Sequence, residues 1–166
     1  MKLPDQLLGF ASAQEWRAWL EEHHATEREA WLLHNKKGAS KCYLGYEEAV
    51  EEALCFGWID GLLKTVDGER YALRYSPRKK GSVWAESNKQ RVAKLIAAGR
   101  MTPAGLAKVA EAQASGEWEA ASAREDVSTL PADLAQALAS SGAAGAFEQW
   151  TVSRKKQVLF WLASAK

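Results

Sequence analysis

The first amphipathic pattern lies near the N-terminus. Apolar residues repeat at helical spacing from Trp16 onward, and Ser12 precedes Glu15 by three positions, as in a capping box. These features predict a helix over 13–24. Residues 30–34 then form a short apolar and aromatic run that ends in a turn-rich stretch, which predicts a buried strand.

A second amphipathic pattern predicts a helix over 46–56. Its apolar stripe consists of Ala49, Val50, Ala53 and Leu54, and its other face carries Glu47, Glu48, Glu51 and Glu52. We expect the glutamate face to be solvated. Residues 57–61, Gly-Trp-Ile-Asp-Gly, are then expected to end the helix in a sharp turn.

The clearest hairpin follows this turn. Residues 62–66 and 70–75 flank Asp67 and Gly68, a dipeptide that favours a tight turn through positive backbone φ. Alternation along the second strand places Arg70, Ala72 and Arg74 on one face and Tyr71, Leu73 and Tyr75 on the other.

The remainder of the chain has helical patterns. After Pro77 we expect a helix from about 82 to 98, whose inward positions are Val83, Val92, Leu95 and Ile96. Further helices are predicted from Pro103 to Ser115, from Pro131 to Leu138, and after a cap at Ser153.

These elements predict an α+β fold in which helix dominates, because helices and strands do not alternate regularly enough for a parallel sheet. The small antiparallel sheet consists of the hairpin 62–75 and the strand near 30–34. We expect a core over 1–118, an Ala-rich and Ser-rich linker over 119–130, and a helical extension over 131–166 that packs on the same domain.

Composition narrows the class of protein. With 166 residues, 47% of them apolar and 26% charged, the chain has the size and balance of one globular domain. The N-terminus lacks the apolar run of a secretory signal, and Cys42 and Cys55 are too few for a disulfide framework. We therefore expect a cytoplasmic protein with no transmembrane segment, no metal site and no cofactor. Oligomeric state does not follow from these features.

Charge is distributed unevenly along the chain. The formal net charge is only +1, yet residues 70–94 hold eight Lys and Arg against one acid, Glu86, for a local charge of +7. The rest of the chain carries a charge of −6. A near-neutral total therefore hides a polarised molecule with one basic segment.

The basic segment has the layout of an anion site. The hairpin leads through Ser76-Pro77-Arg78-Lys79-Lys80-Gly81-Ser82 into the predicted helix, whose N-terminus offers free backbone N–H groups. Ser82 is the expected N-cap, Gly81 allows close approach, and Arg78 can grip a phosphate or carboxylate bidentately. The candidate ligand residues are Trp58, Asp60, Arg74, Ser76, Arg78, Lys79, Lys80, Ser82, Trp84, Asn88 and Arg91.

Several functions fit this segment. The leading hypothesis is a binding protein for an anionic small molecule or an acidic partner protein. In a purely structural alternative, Asp60 forms an ion pair with Arg74 or Arg78 and so fixes the 57–61 turn against the hairpin.

Two further functions are weaker alternatives. A nucleic-acid-binding module would use Tyr71, Tyr75 and Trp84 for stacking, but the near-neutral total charge argues against it. An enzyme would use Asp60 as a base beside Arg74, but the chain has no nucleophile elbow, P-loop or dinucleotide fingerprint.

Three stretches carry a family resemblance. They are residues 53–61 (Ala-Leu-Cys-Phe-Gly-Trp-Ile-Asp-Gly), residues 74–84 (Arg-Tyr-Ser-Pro-Arg-Lys-Lys-Gly-Ser-Val-Trp) and residues 99–106 (Gly-Arg-Met-Thr-Pro-Ala-Gly-Leu). In these motifs the chain resembles the YdeI/OmpD-associated proteins, also called bacteriocin-protection proteins, and the resemblance returns over 131–166. It implies a bacterial protein linked to stress and to tolerance of antimicrobial peptides, in a family without an established reaction. Members of that family commonly continue past the position of Lys166 into a basic helix.

Overall fold

The computed structural model describes residues 4–40 and 42–165. Within them, eight helices and three strands follow one another along the chain. Their order is α1 (Ala13–His23), β1 (Ala30–Asn35), α2 (Tyr46–Cys55), β2 (Trp58–Thr65), β3 (Arg70–Pro77), α3 (Glu86–Ala97), α4 (Pro103–Ser115), α5 (Glu117–Ala123), α6 (Ala132–Ser141), α7 (Ala144–Glu148) and α8 (Val152–Ser164).

The strands form one antiparallel sheet in the order β1-β3-β2, so β3 lies in the middle. Leu32 of β1 pairs with Leu73 of β3, and Thr65 of β2 pairs with Tyr71 of β3. The register shifts between Asp60 and Leu63, which marks a bulge in the edge strand β2. This small sheet beside many helices confirms the predicted α+β fold.

Helices α1 and α2 cover one face of the sheet and build the core with it. Trp16 of α1 and Tyr75 of β3 are fully buried, with ring centres 5.6 Å apart. Trp16 Nε1 donates to the Ala49 carbonyl of α2 at 3.1 Å, so the largest core side chain has its polar atom satisfied. The apolar stripe predicted on α2 faces this core.

Local signals set several helix ends as predicted. Ser12 Oγ accepts a hydrogen bond from the Glu15 N–H at the start of α1, and the Glu15 carboxylate accepts one from the Ala11 N–H. Thr102 Oγ accepts one from the Gly105 N–H at the start of α4. Gly116 ends α4 with φ +80°, a conformation that favours glycine.

The stretch 57–61 is a strand start rather than a turn, which corrects the sequence-based interpretation. Gly57 alone reverses the chain, with φ +74°. Trp58 begins β2 opposite Pro77, and the buried Trp58 ring drives residues 58–60 into the sheet.

The hairpin was predicted correctly, but its turn has another basis. Gly68 does not adopt a positive φ. Asp67 Oδ1 instead accepts hydrogen bonds from the N–H groups of Glu69 and Arg70 at 2.9 and 2.8 Å. The aspartate side chain therefore organises a longer turn, in the manner of an Asx-turn.

Three residues have orientations other than those predicted. Glu52, expected to be solvated, is buried because Arg17 and Arg100 both hydrogen-bond its carboxylate. Val83 and Ile96, expected to face inward, are exposed. Val83 precedes α3, and the buried face of α3 is set instead by Val92 and Leu95.

The C-terminal part differs from its prediction in two places. Residues 119–123, expected to begin a linker, belong to α5, which packs against α3 and α4. Helix α8 is capped by Thr151 rather than by Ser153, since the Thr151 hydroxyl accepts a hydrogen bond from the Arg154 N–H. Arg124 over the Phe160 ring and the Lys156–Glu125 ion pair connect α8 to the chain after α5. No helix in the described residues is long and apolar enough to cross a bilayer.

Candidate functional site

Arg78 directly follows β3, and both its main chain and its side chain are held in place. Its N–H donates to the Gly57 carbonyl at 2.9 Å, which ties the end of β3 to the turn before β2. The guanidinium carbon lies 3.7 Å from the ring centre of Trp84. Nη1 donates to Ser82 Oγ at 3.2 Å and to the Val83 carbonyl at 3.3 Å. The guanidinium is therefore preorganised by its own loop.

The buried charge of Arg78 has no ionic partner among the described residues. The residue is only 4% exposed, yet no carboxylate oxygen of the described residues lies within 4.0 Å of its guanidinium. Its Nε also lacks a hydrogen-bond partner within the described part of the chain. Burial lowers the pKa of Arg78 to about 10, and the charge of Asp60 opposes that shift. Since buried cations are ordinarily paired, this one is an exception that calls for a cause.

A small cleft opens beside Arg78. Loop residues 78–84 line one side, and α4 lines the other with Lys108 and Glu111, which form an ion pair at 2.8 Å. The cleft has a volume of about 10 Å³, which is roughly the space of one water molecule. A whole organic molecule does not fit, but one oxygen of a carboxylate or phosphate does. Lys108 pairs with Glu111 Oε2, but Glu111 Oε1 is buried and has no hydrogen-bond partner among the described residues, so a carboxylate oxygen also belongs to the cleft lining. Arg78, Lys79 and Lys108 against Glu111 still leave the cleft with a net positive charge.

The loop between β3 and α3 is not the helix N-terminus that its sequence predicts. The N-cap of α3 is Ala85, which makes no side-chain capping bond, so Ser82 lies outside the helix. Gly81 adopts φ +69°, and the Ser82 N–H donates to the Lys79 carbonyl, which closes a tight turn. Trp84 is buried, and Arg78 binds the segment before it, so tertiary contacts override the local capping preference. The helix dipole therefore does not contribute to this site.

Asp60 lies near the Arg78 cleft but pairs with neither predicted arginine. Its register partner is Tyr75, which places Asp60 on the helix-covered face of the sheet. Asp60 Oδ2 accepts a hydrogen bond from the hydroxyl of Tyr46, at the start of α2, at 3.1 Å. Burial and then the Asp60 charge raise the pKa of Tyr46 to about 12. Asp60 thus joins β2 to α2.

Asn88 and Arg91 lie together on α3, as their spacing predicts, but they bind each other and α2. Arg91 Nη1 donates to Asn88 Oδ1 at 2.8 Å. Arg91 Nε and Nη2 both donate to Glu47 Oε2, at 3.0 and 2.6 Å. This arginine already has a carboxylate, so it holds α3 against α2 and is not a free anion donor.

The other candidates are dispersed. Arg74 lies on the opposite face of the sheet from Asp60, where its Nη1 is 3.5 Å from Glu29 Oε2, and Ser76 shares that face by alternation. Trp58 is buried in the core, where its Nε1 donates to the His24 carbonyl. The structure therefore brings together Arg78, Lys79, Lys80, Ser82 and Trp84 in one loop, with Asp60 nearby.

Three side chains that line clefts in the structure were not among the predicted site residues: Lys108, Tyr46 and His34. Lys108 reaches the Arg78 cleft only because α4 packs against Gly57, and no local pattern reports that contact. Tyr46 carried no motif. His34 did carry a signal, because it alternates with Leu32 along β1 and therefore shares the core face.

Two family models match this chain over different segments. A model described as a domain of unknown function (DUF8412) matches residues 8–108, which is more than half of the chain. A model described as bacteriocin-protection, YdeI or OmpD-associated matches residues 128–166. No curated protein matches significantly, and no solved structure does. The three motif stretches of the predicted resemblance lie within the DUF8412 match, and the resemblance over 131–166 lies within the bacteriocin-protection, YdeI or OmpD-associated match, which supports that family prediction. The chain therefore belongs to the DUF8412 family of domains of unknown function.

Proposed function

We propose that this chain is a binding protein whose Arg78 cleft accepts one oxygen of an anionic group on a partner. The observation that supports the proposal is the buried guanidinium of Arg78, which stacks on Trp84 and has no carboxylate oxygen of the described residues within 4.0 Å. A protein that maintains an unpaired buried cation gives up stability, and an incoming anion recovers it. Arginine also retains its charge across the physiological pH range.

The size of the cleft narrows the class of partner. Space for about one water admits a single oxygen, so the rest of the anionic group stays at the surface beside Lys79 and Lys80, which are both exposed. An acidic segment of a protein presents its carboxylates in this way. So does a phosphate at the end of a larger molecule.

We also propose a physiological role and a cellular compartment for this binding protein. The match of residues 128–166 to the bacteriocin-protection model supports a role in tolerance of antimicrobial peptides or related stress. A cytoplasmic location is part of the proposal because Cys42 is an exposed free thiol, which persists best in a reducing compartment.

The two other hypotheses lack the geometry they need. Of the three rings that the nucleic-acid hypothesis uses, Tyr75 and Trp84 are buried and Tyr71 is half-buried at the other end of β3 from the Arg78 loop. These rings and the loop cations therefore do not form one surface for base stacking. Asp60 and Arg74 lie on opposite faces of the sheet, so they do not form the pair that the enzyme hypothesis requires.

The experiment is a titration of the ¹⁵N-labelled protein with inorganic phosphate and, separately, with a hexaglutamate peptide at constant ionic strength. We expect saturable shifts in the amide signals of Ser82, Val83 and Trp84 and in the Trp84 indole signal. Stronger binding of hexaglutamate would identify an acidic protein segment as the partner class, and stronger binding of phosphate would identify a phosphorylated molecule.

The matched variants are Arg78→Met and Arg74→Met. Both remove one arginine from the same part of the chain, but only Arg78 lines the cleft. We expect Arg78→Met to abolish the shifts and Arg74→Met to leave them unchanged. Equal losses in both variants, or shifts that sodium chloride reproduces, would overturn the proposal.

A further inference from the structure

A larger cleft lies at the other end of β3, between Tyr71 and the loop that joins β1 to α2. Its volume is about 520 Å³, within the range of roughly 300–1,000 Å³ found for small-molecule sites. The described residues that line it and those that line the Arg78 cleft do not overlap. We call it the β1–α2 cleft, and the residues that define its properties are His34, Lys36, Lys37, Tyr43, Tyr46 and Tyr71.

The walls of the β1–α2 cleft are aromatic. Tyr71 is half-buried, and its ring stacks on that of His34 with centres 5.2 Å apart and planes 20° apart. Tyr43 and Tyr46 contribute further rings from the loop and from the first turn of α2. Rings of this kind bind planar ligands by offset or edge-to-face stacking.

His34, the buried residue that we call the floor of the cleft, is hydrogen-bonded at both ring nitrogens. His34 Nδ1 lies 2.9 Å from the Leu44 carbonyl, which only accepts, so Nδ1 carries the proton. Nε2 is then the acceptor for the Tyr75 hydroxyl at 3.3 Å. Burial lowers the pKa of His34, which keeps the imidazole uncharged. A charged ligand group therefore gains nothing at the floor and belongs at the rim.

The rim is basic. Lys36 and Lys37 line the cleft, and Glu48 is the acidic residue among the described residues that line it. Lys36 Nζ donates to the backbone carbonyl of Asp67 at 2.6 Å. A carbonyl carries no net charge, so this hydrogen bond fixes the position of the ammonium group and leaves its positive charge in place. Two cations against one acid favour an anion at this rim.

We propose that the β1–α2 cleft binds a small planar aromatic molecule with one negative charge, such as an aromatic carboxylate. The ring contacts the tyrosine walls, and the acid group lies towards Lys36 and Lys37. This site is separate from the proposed Arg78 site, so either can fail without the other.

Benzoate tests this inference, with benzamide as its neutral counterpart and acetate as an anion without a ring. We expect saturable benzoate shifts in the His34 ring signals and in the Leu44 and Tyr71 amide signals. Benzamide should bind about two- to fivefold more weakly, the effect of one exposed charge contact. Acetate should give no saturable shift.

Variants separate the two contributions. Lys37→Gln, at an exposed position, should weaken benzoate binding and leave benzamide binding unchanged. Tyr71→Phe keeps the ring and should retain benzoate binding, whereas Tyr71→Leu should weaken both ligands. Arg78→Met is the matched control and should leave the His34 shifts unchanged. Benzoate shifts that do not saturate, that acetate reproduces, or that survive both Lys37→Gln and Tyr71→Leu would refute the site.

Discussion

Arg78 and Trp84 form a stacked pair in which the guanidinium carbon lies 3.7 Å from the ring centre. The pair is buried, and it lies in the loop between the central strand β3 and helix α3. Cation–π contact and two hydrogen bonds fix the guanidinium, but neither supplies a negative charge. The pair thus holds a cation ready for an anion that the described residues do not provide in contact.

The stability of Arg78→Met follows from this arrangement. Methionine keeps the apolar contact with Trp84 and removes the buried charge, so the gain from removing the charge offsets the loss of hydrogen bonds. We expect the free energy of unfolding to change by no more than about 1 kcal/mol, measured by urea denaturation. A loss of about 3–5 kcal/mol, as for a broken buried ion pair, would instead mark Arg78 as a structural residue.

The exposed lysines of the same loop should affect binding without affecting folding. In a Lys79→Gln/Lys80→Gln double variant we expect weaker hexaglutamate binding, a smaller dependence of that binding on salt, and an unchanged unfolding midpoint. Lys94→Gln, on the exposed part of α3, is the control and should change none of the three. An identical salt dependence in the double variant and the wild type would remove these lysines from the site.

Glu52 provides a test of the core. Its carboxylate is buried and accepts hydrogen bonds from Arg17 at 2.9 Å and from Arg100 at 2.5 Å. Glu52→Gln should destabilise the protein by about 1–3 kcal/mol because it removes the charge from two buried hydrogen bonds. The loss stays below that of a fully buried ion pair, since Arg17 and Arg100 are partly exposed and keep Glu21 and Glu51 as partners. Glu51→Gln is the matched control, since among the described residues Glu51 forms an ion pair with Arg100 alone and is more exposed than Glu52. It should cost less than about 1 kcal/mol, and equal costs for the two variants would contradict this role of Glu52.

His34 predicts a pH dependence of stability. Burial lowers its pKa in the folded state below the ordinary value of 6.5. The unfolded chain therefore binds more protons below pH 6.5, so the free energy of unfolding falls as the pH drops from that value towards the folded pKa. His34→Gln should lose less stability than the wild type between about pH 7.5 and about pH 5 in urea denaturation. Both proteins keep His23 and His24, so parallel losses would show that His34 is not the source.

The features that the sequence predicted correctly depend on neighbours along the chain. Ser12 caps α1 and Thr102 caps α4 through residues three positions away, and the hairpin is closed within a few residues of Asp67. The alternation of apolar residues predicted the strands, and their repeat every 3.6 residues predicted the long helices, because both patterns depend on residues that are close along the chain. Local spacing was enough for the fold class.

The features that it did not predict depend on residues far apart in sequence. Arg17 and Arg100 reach Glu52 from 35 and 48 positions away, which no helical pattern in α2 reports. Ser82 has the chemistry of an N-cap, but the packing of Trp84 and the bonds from Arg78 move the start of α3 to Glu86. The predicted helix start at Ser82 was therefore wrong, and the ligand role of the loop residues stays a prediction.

The most direct test of the account is the Nε–H signal of Arg78 in a protein labelled with ¹⁵N at arginine side chains. This group has no partner within the described residues. If the cleft binds an anionic oxygen, adding phosphate at constant ionic strength should shift the Arg78 Nε–H signal downfield, slow its exchange with water, and saturate. Arg74 Nε is likewise buried without a hydrogen-bond partner among the described residues. Arg74 does not line the cleft and its Nη1 faces Glu29, so its signal should stay in place. An Arg78 signal that does not move, or that moves equally with sodium chloride, would contradict the central claim that this buried cation awaits an anion.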